Sequence, residues 1–471
     1  MRRVKKEMQL FERVRIVDAG AEGNAIGRIN DKVIFIPFVV PGDVVDVQTV
    51  WNKKSFYKGR AIRICEYSEK RTEPKCSHFG ICGGCRWQNM KYSEQLIFKQ
   101  KLVEDSMSRI GKFAYPEILP IIPSTFEYYY RNKLEFTFSN RRWLTKTEMD
   151  DNSVLDNTNG LGFHIPGMYD RIVDIENCYL QAEPSNSIRK AVRAIVAERG
   201  LTCYDAKNHN GFLRNLIIRT TTTGELMVIM VFAYDDQPEI SNLLDFISDN
   251  FPLVSSLMYV VNSKKNDTIT DLEVKLYKGK DHLMGIMGNL KFKIGPVSFF
   301  QTNSVQAYEL YKIAKNFAEL QGNEIVYDLY TGTGTIANFL AAYSAKVIGI
   351  DSVSAAIEDA RINSEINNIK NTVFFEGDIV KVLSDLFVDQ NGKPDVIITD
   401  PPRAGMHEKV VEQILKIAPR RLVYISCNPP TQARDVNLLS AGYRVVKVQP
   451  VDMFPQTQHV ENVMALEKME A

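Results

Sequence analysis

Glu324-Ile325-Val326-Tyr327-Asp328, Val347-Ile348-Gly349-Ile350-Asp351, Val373-Phe374-Phe375-Glu376-Gly377-Asp378 and Val396-Ile397-Ile398-Thr399-Asp400 are short apolar runs that each finish on an aspartate. A fifth, Leu422-Val423-Tyr424-Ile425-Ser426-Cys427, finishes on a cysteine. Runs of this length, rich in β-branched and aromatic residues, read as buried strands. The segments between them at 335–345, 354–367 and 407–418 are amphipathic and predict helices. Strand alternating with helix predicts a multidomain α/β protein with a Rossmann-like, doubly wound parallel sheet in this part. Ligands of such sheets lie beyond the carboxyl ends of the strands, where these carboxylates and the thiol would gather.

Charge narrows the ligand. Gly332-Thr333-Gly334-Thr335-Ile336-Ala337 follows the first strand and fits G-x-G-x-x-A, with Asp351 placed for a ribose hydroxyl. A nicotinamide or flavin cofactor brings an anionic pyrophosphate, and Asp328, Asp378 and Asp400 would repel it. S-adenosylmethionine carries a sulfonium and an ammonium, so the acidic rim favours it. The competing reading is that the carboxylates cap helices.

Asp400-Pro401-Pro402-Arg403 and Ser426-Cys427-Asn428-Pro429 lie on this rim. Phe300-Gln301-Thr302-Asn303 precedes it, and Asp452-Met453-Phe454-Pro455-Gln456-Thr457-Gln458-His459-Val460-Glu461 follows it. All four segments resemble motifs of the uracil-C5 RNA methyltransferases, and the similarity covers nearly the whole chain. The resemblance implies that Cys427 is a nucleophile and Glu461 a general base. It also implies that Gln301, Tyr330, Asp351 and Asp400 contact S-adenosylmethionine, and Asp378 joins them by its place on the rim.

The implied chemistry accounts for these residue types. Uracil C5 cannot attack a methyl sulfonium until a thiolate adds at C6 and pushes electron density onto C5. After methyl transfer the C5 proton must leave before the thiolate can be expelled, which requires a base. Taken alone, a cysteine at a strand end is usually an inert core residue. Glu461 alone equally reads as a solvated charge on the last strand.

The chain has 471 residues, 45% hydrophobic and 24% charged, a composition of two or three globular domains. Its net charge of +1 requires any nucleic-acid footprint to be local. No run approaches a membrane span, and a cytoplasmic protein is expected. Seven cysteines then stand for thiols, metal ligands or catalysis rather than disulfides. Near the start, glycine-broken strands are predicted at 14–17, 25–29, 32–37, 43–50 and 59–64, the spacing of a small barrel. Residues 1–65 hold 13 Lys and Arg against 7 Asp and Glu, either a phosphate-facing surface or a solvated basic face. Gly27-Arg28-Ile29 and Pro41-Gly42-Asp43 resemble the TRAM module, an OB-like barrel attached to RNA-modifying enzymes.

Cys76-Ser77-His78-Phe79-Gly80-Ile81-Cys82-Gly83-Gly84-Cys85 puts three cysteines in ten residues, which implies a shared metal with a fourth ligand. Spacing alone selects neither zinc nor an iron–sulfur cluster. This segment with the distant Cys178 resembles the [4Fe-4S] site of one branch of the uracil methyltransferases, a branch leaning toward ribosomal RNA. The resemblance makes Cys76, Cys82, Cys85 and Cys178 the ligands. The Cys-x3-Cys-x2-Cys loop of radical enzymes is absent, and Cys65 and Cys203 fit no pattern.

Residues 92–112 predict a helix with Leu96, Ile97, Val103, Met107 and Ile110 near one face. Tyr128-Tyr129-Tyr130-Arg131-Asn132-Lys133 mixes aromatics with base, suited to stacking bases and holding phosphates, or equally to a strand edge. Arg131 and Lys133 are the RNA candidates. Strands at 212–220 and 226–232 with a helix at 185–199 predict an α+β middle region, and 152–162 reads as a surface loop.

Three domains are therefore expected: a barrel at 1–68, a middle domain with the iron–sulfur site at 69–293, and a methyltransferase domain at 294–471. The expected activity is S-adenosylmethionine-dependent C5 methylation of a uridine in RNA, 23S ribosomal RNA ahead of transfer RNA, by a monomer. Cytosine-C5 chemistry shares the thiolate step and is the nearest rival. A non-catalytic RNA-binding scaffold is the rival that turnover excludes.

Overall fold

In the computed structural model, residues 8–20, 22–144, 146–149 and 158–470 are described. Five N-terminal strands close a barrel in the order Leu10–Ala19, Ala25–Ile29, Lys32–Ile36, Phe56–Glu66, Val44–Asn52. Asn30 and Asp31, both with positive φ, supply the tight turn between the second and third strands, a conformation these two residue types tolerate. Val14, Ile16, Ile34, Ile36, Val45 and Val47 fill the interior. The buried Asp43 accepts the Val40 and Ser68 N–H groups and two bonds from Arg71 at 2.8 Å. Pro41-Gly42-Asp43 thus latches the barrel to the chain that follows it.

A seven-stranded middle sheet follows in the order Lys275–Gly279, Ser256–Val261, Leu226–Phe232, Leu213–Thr220, Lys133–Ser139, Gly160–His164, Ile172–Asp174. Alternate residues of Leu226–Phe232 enter two different cores. Val228, Met230 and Phe232 pack with the helices Ser185–Glu198 and Gln237–Asn250. Met227, Ile229 and Val231 join the helix Ser304–Ala318 and the C-terminal sheet. Burial on both faces explains the unbroken apolar run of this strand. The expected loop at 152–162 ends sooner than its turn residues implied, because Gly160 already opens a strand; residues 152–157 lie outside the described part.

The C-terminal sheet has the order Thr372–Glu376, Lys346–Asp351, Ile325–Leu329, Val396–Thr399, Arg421–Ser426, Glu461–Lys468, Tyr443–Val451. The five predicted strands are parallel; beyond them the sheet continues with Glu461–Lys468, antiparallel to Arg421–Ser426, and with Tyr443–Val451, antiparallel to Glu461–Lys468. The cause is chain length. A parallel crossover needs a dozen residues or more, and only 452–460 separate these two strands. The strand order reverses direction between Ile325–Leu329 and Val396–Thr399, so a ligand crevice opens there.

The helix Tyr92–Ser106 packs on this sheet's outer layer through Val103, and Met107 follows it into the same core with Tyr424, Ala433 and Val436. Its buried face is the expected one only at Val103 and Met107. Ile97 and Ile110 are exposed, while Gln95 and Lys99 are fully buried. Lys99 Nζ lies 2.6 Å from Asp452 Oδ1, and Gln95 both donates to Gln456 Oε1 and accepts the Gln456 N–H. Polar partners some 350 positions away make these side chains interior. Among the described residues no helix is long and apolar enough to cross a membrane.

Candidate active site

Cys427 lies one residue beyond Arg421–Ser426, where Pro429 and Pro430 open the helix Pro429–Leu439. Proline at a helix start costs no hydrogen bond, so the chain leaves the strand abruptly and the thiol stays at its rim. Ser426, the last paired residue of its strand, faces Asn462 on the neighbouring antiparallel strand, so Cys427 and Glu461 each lie one residue past that pair. Cys427 lines a cavity of about 270 Å³ with Arg403, Asn428, Gln458, His459 and, from the barrel, Glu22.

The loop that carries Arg403 is clamped to the helix that follows Cys427. Asn428 Nδ2 donates to the Arg403 carbonyl at 2.8 Å, and Thr431 Oγ1 donates to it at 3.2 Å. Asp435 accepts the Met406 N–H and the Tyr424 hydroxyl, both at 2.7 Å. Gly405, at φ +79°, passes so near Asp435 that a Cβ there would stand 2.5 Å from its carboxylate. These contacts keep the guanidinium beside the thiol.

Burial pushes the Cys427 thiol up to about 11; Glu461 and Asp400 push the same way, and Arg403 opposes them by charge and a hydrogen bond. Glu461 is raised by burial and then by Asp400, and Asp400 is raised by burial. Asp328 reaches about 7, raised by burial and by Asp400 and Asp351 and held down by the Thr331 hydroxyl. His459 falls to about 4 through burial and the charges of Arg403, Lys99 and Arg131, so it is neutral at pH 7. A buried thiol, two carboxyls of raised proton affinity and one cation thus share a site where protons can be exchanged near neutrality.

The rim carboxylates divide into two kinds. Asp328 is fully buried, with Oδ2 accepting the Thr331 hydroxyl at 2.6 Å and Oδ1 without a hydrogen-bond partner among the described residues. Asp351 is half-buried and accepts the Gly332 N–H at 2.9 Å and the Val353 N–H at 3.0 Å. Asp378 is exposed and caps the short helix Ile379–Val382 through the Val380 N–H at 3.0 Å, which is the helix-capping alternative. Tyr330, at φ +64°, has its hydroxyl pushed up to about 12 by burial and then by Asp435, Asp378 and Asp351. Gln301 lends its carbonyl to Asn132 Nδ2 at 2.8 Å, and the adjacent Phe299 carbonyl accepts the Thr333 hydroxyl of the glycine loop at 3.4 Å. The orphaned acceptor of Asp328 and the open space beside Gly332 suit a ligand that brings an ammonium group. S-adenosylmethionine fits that requirement.

Cys76, Cys82, Cys85 and Cys178 line a second cavity, of about 370 Å³, with His78 and Arg131. Burial and the other thiols raise Cys82 and Cys85 to about 12. The Gly84 N–H donates to Cys82 Sγ at 3.5 Å. As they stand, among the described residues no three His, Cys, Asp or Glu side chains are gathered tightly enough to hold a single ion. Four thiols lining one space are the donor type that would hold a thiolate-bound metal centre. Of the two RNA candidates, Arg131 has a buried Nε without a partner and stacks 5.6 Å from the Phe454 ring. Lys133 is a strand residue 4.0 Å from Glu135, its pKa lowered by burial.

Arg403, His459, Gln458 and Glu22 were not singled out from sequence. Arg403 and His459 stand inside the quoted motifs, and a lone cation just after Asp-Pro-Pro was the available signal. Nothing local distinguishes Glu22, which reaches the cavity from another sheet.

The sequence pattern of the tRNA (Uracil-5-)-methyltransferase family matches residues 280–469, and that of the TRAM domain matches residues 12–61. An uncharacterized RNA methyltransferase of Bacteroides thetaiotaomicron is 55% identical over 450 residues, covering 95% of this chain and 99% of the relative. Another, from Porphyromonas gingivalis, is 52% identical over 460 residues, with 96% and 99% covered. The Pyrococcus abyssi tRNA (uracil-54, C5)-methyltransferase, solved with S-adenosyl-L-homocysteine, is 30% identical with a TM-score of 0.74 over 96% of this chain and 100% of that one. With a TRAM barrel ahead of an S-adenosylmethionine-dependent methyltransferase sheet, the chain belongs to the RNA (uracil-5-)-methyltransferase family.

Proposed function

We propose that this enzyme methylates C5 of one uridine in 23S ribosomal RNA through a covalent adduct on Cys427. The observation that carries the reading is that Cys427 and Glu461 each lie one residue past the Ser426–Asn462 pair, close enough for the Glu461 charge to act on the thiol, with Arg403 acting on both. Cys427 Sγ adds to C6, giving up its proton to a neighbouring carboxylate, and Arg403 stabilises the thiolate on the way. Bound S-adenosylmethionine supplies an electrophilic methyl group to C5. Asp328, Asp351 and Asp400 hold that ligand, with Gln301, Tyr330 and Asp378 as further contacts. Glu461 then takes the C5 proton, for which its raised pKa makes it a stronger base, and expulsion of the Cys427 thiolate restores the C5–C6 double bond. The residues at 294–471 perform this chemistry, while the barrel at 1–68 and the middle domain at 69–293 hold RNA. Cys76, Cys82, Cys85 and Cys178 carry a [4Fe-4S] cluster that supports the middle domain.

A second reading is transfer RNA, favoured by the activity that the Pyrococcus abyssi protein's name states. Nucleoside mass spectrometry with site mapping separates the two. RNA from cells lacking the gene should lose 5-methyluridine at one ribosomal position; loss from transfer RNA selects the second reading, and no loss of 5-methyluridine overturns both.

A further inference from the structure

A line of rings and cations leads away from the Cys427 cavity. His459, on the cavity wall, has its ring 6.4 Å from Phe454, and Arg131 lies 5.6 Å over the other end of this pair. Tyr130, buried behind them, fixes the line to the catalytic loop by donating its hydroxyl to the Pro455 carbonyl at 2.9 Å. Beyond Arg131 the ring of Tyr129 meets that of Tyr179 at 6.2 Å. Lys75 Nζ ends the line, 4.7 Å over Tyr129, 4.9 Å over Tyr179 and 5.0 Å over Tyr128.

The end of this line is open to solvent. Tyr129 is 47% exposed and held at φ +57°, a conformation unfavourable for a bulky residue. Two backbone bonds enforce it: the Tyr129 N–H to the Tyr179 carbonyl and the Arg131 N–H to the Leu180 carbonyl, both at 2.8 Å. Strain at an exposed aromatic buys nothing for the core, which points to a ring presented outward. Lys75 is exposed as well, and rings rather than a carboxylate meet its charge. Cation–π contact orients an ammonium without neutralising it, so its donors remain available to an anion.

We propose that Lys75, Tyr129 and Tyr179 form a second RNA subsite, remote from Cys427, that stacks one unpaired nucleobase and grips the adjoining phosphate. Aromatic faces take any base, and a lysine takes a phosphate as a point charge, so the subsite serves grip and strand direction rather than sequence. The RNA strand runs from the reacting uridine along His459 and Arg131 to this platform. The inference rests on the reading of the chain as an RNA-modifying enzyme.

Full-length protein, fluorescein-labelled single-stranded RNA of 20 nucleotides and binding at several salt concentrations test it. Tyr129→Asn, chosen because asparagine tolerates positive φ, should weaken binding about tenfold, and Tyr129→Phe should restore it. Lys75→Met, which keeps contact with the rings, should lower the slope of log affinity against log salt by about 0.7. Affinity for S-adenosylhomocysteine and the melting temperature should stay at wild-type values in all three. Unchanged RNA affinity and salt slope in Tyr129→Asn and Lys75→Met overturn the subsite, as does failure of the wild-type protein to bind single-stranded RNA. A lower melting temperature with unaltered RNA affinity makes Lys75 a pin for the rings and also overturns it. Methylation of cellular RNA by the wild type, measured in parallel, shows whether the enzymatic reading stands when the subsite falls.

Discussion

Cys427 and the four cysteines around the second cavity are the same residue in similarly buried surroundings, and burial raises the thiol pKa in both places. Their neighbours differ. Around Cys427 stand two carboxyls and an arginine, groups that can accept its proton and stabilise the anion. Around Cys82 and Cys85 stand mainly other thiols, each of which makes ionising the next harder. The first arrangement suits the thiolate chemistry proposed for Cys427; the second would suit thiolates only if a metal centre drew their protons off. The lesson is that burial alone does not decide what a cysteine does; the groups that share its cavity do.

The largest effect should separate the two regions outright. Cys427→Ala should abolish methylation while RNA still binds, because among the described residues Cys427 is the cysteine that lines that cavity. Glu461→Gln should methylate once and stall, slowing turnover by roughly 10² to 10⁴-fold. An RNA-linked band should then accumulate on a denaturing gel, require S-adenosylmethionine, and vanish in the double mutant with Cys427→Ala. Turnover in Cys427→Ala, or free turnover without an adduct in Glu461→Gln, would break the comparison at its catalytic end.

At the other cavity the expected effect is on metal content and stability rather than on the chemical step. Anaerobic reconstitution with iron and sulfide should give a brown protein with about four irons per chain. Cys82→Ser or Cys85→Ser should lose the colour and lower the melting temperature. Colourless protein with stoichiometric zinc would replace the cluster by a mononuclear site and require the sulfurs to converge.

How far the sequence carried these regions depends on the range of the interactions. The strand ends bearing Asp328, Asp351, Asp400 and Cys427 were legible because an apolar run and its last residue are local. Asp378 was legible as the close of an apolar run, yet one of its carboxylate oxygens accepts the Val380 N–H two residues on and caps a helix, a contact only backbone geometry reveals. On Tyr92–Ser106 the burial of Val103 was legible and that of Lys99 and Gln95 was not, because those two owe it to Asp452 and Gln456. Cys76, Cys82 and Cys85 stand out as candidate ligands by their spacing; Cys178 joins them through the resemblance. Glu22 was invisible, since a barrel turn reaching another sheet leaves no periodic trace.

The smallest effect should sharpen the contrast by altering one neighbour. Arg403 stabilises the Cys427 thiolate, so Arg403→Ala should raise that thiol's pKa further and move its alkylation profile to higher pH. Arg403 also favours ionised Glu461, so its loss leaves that carboxyl protonated to higher pH and removes part of the repulsion that opposes the thiolate. The two consequences have opposite sign at Cys427, and the direct loss of charge and hydrogen bond should exceed the relief. A net rise of half a unit to one unit means about a threefold to tenfold slower reaction with iodoacetamide at pH 8.5. Residue-resolved mass spectrometry would read this at Cys427, with Cys82 and Cys85 as internal controls that should not respond. Arg403→Lys should recover part of the shift, because an ammonium restores the charge without the guanidinium's planar fork of donors. An unmoved Cys427 profile, or an equal shift at Cys82, would mean that Arg403 does not set the difference between the two sites.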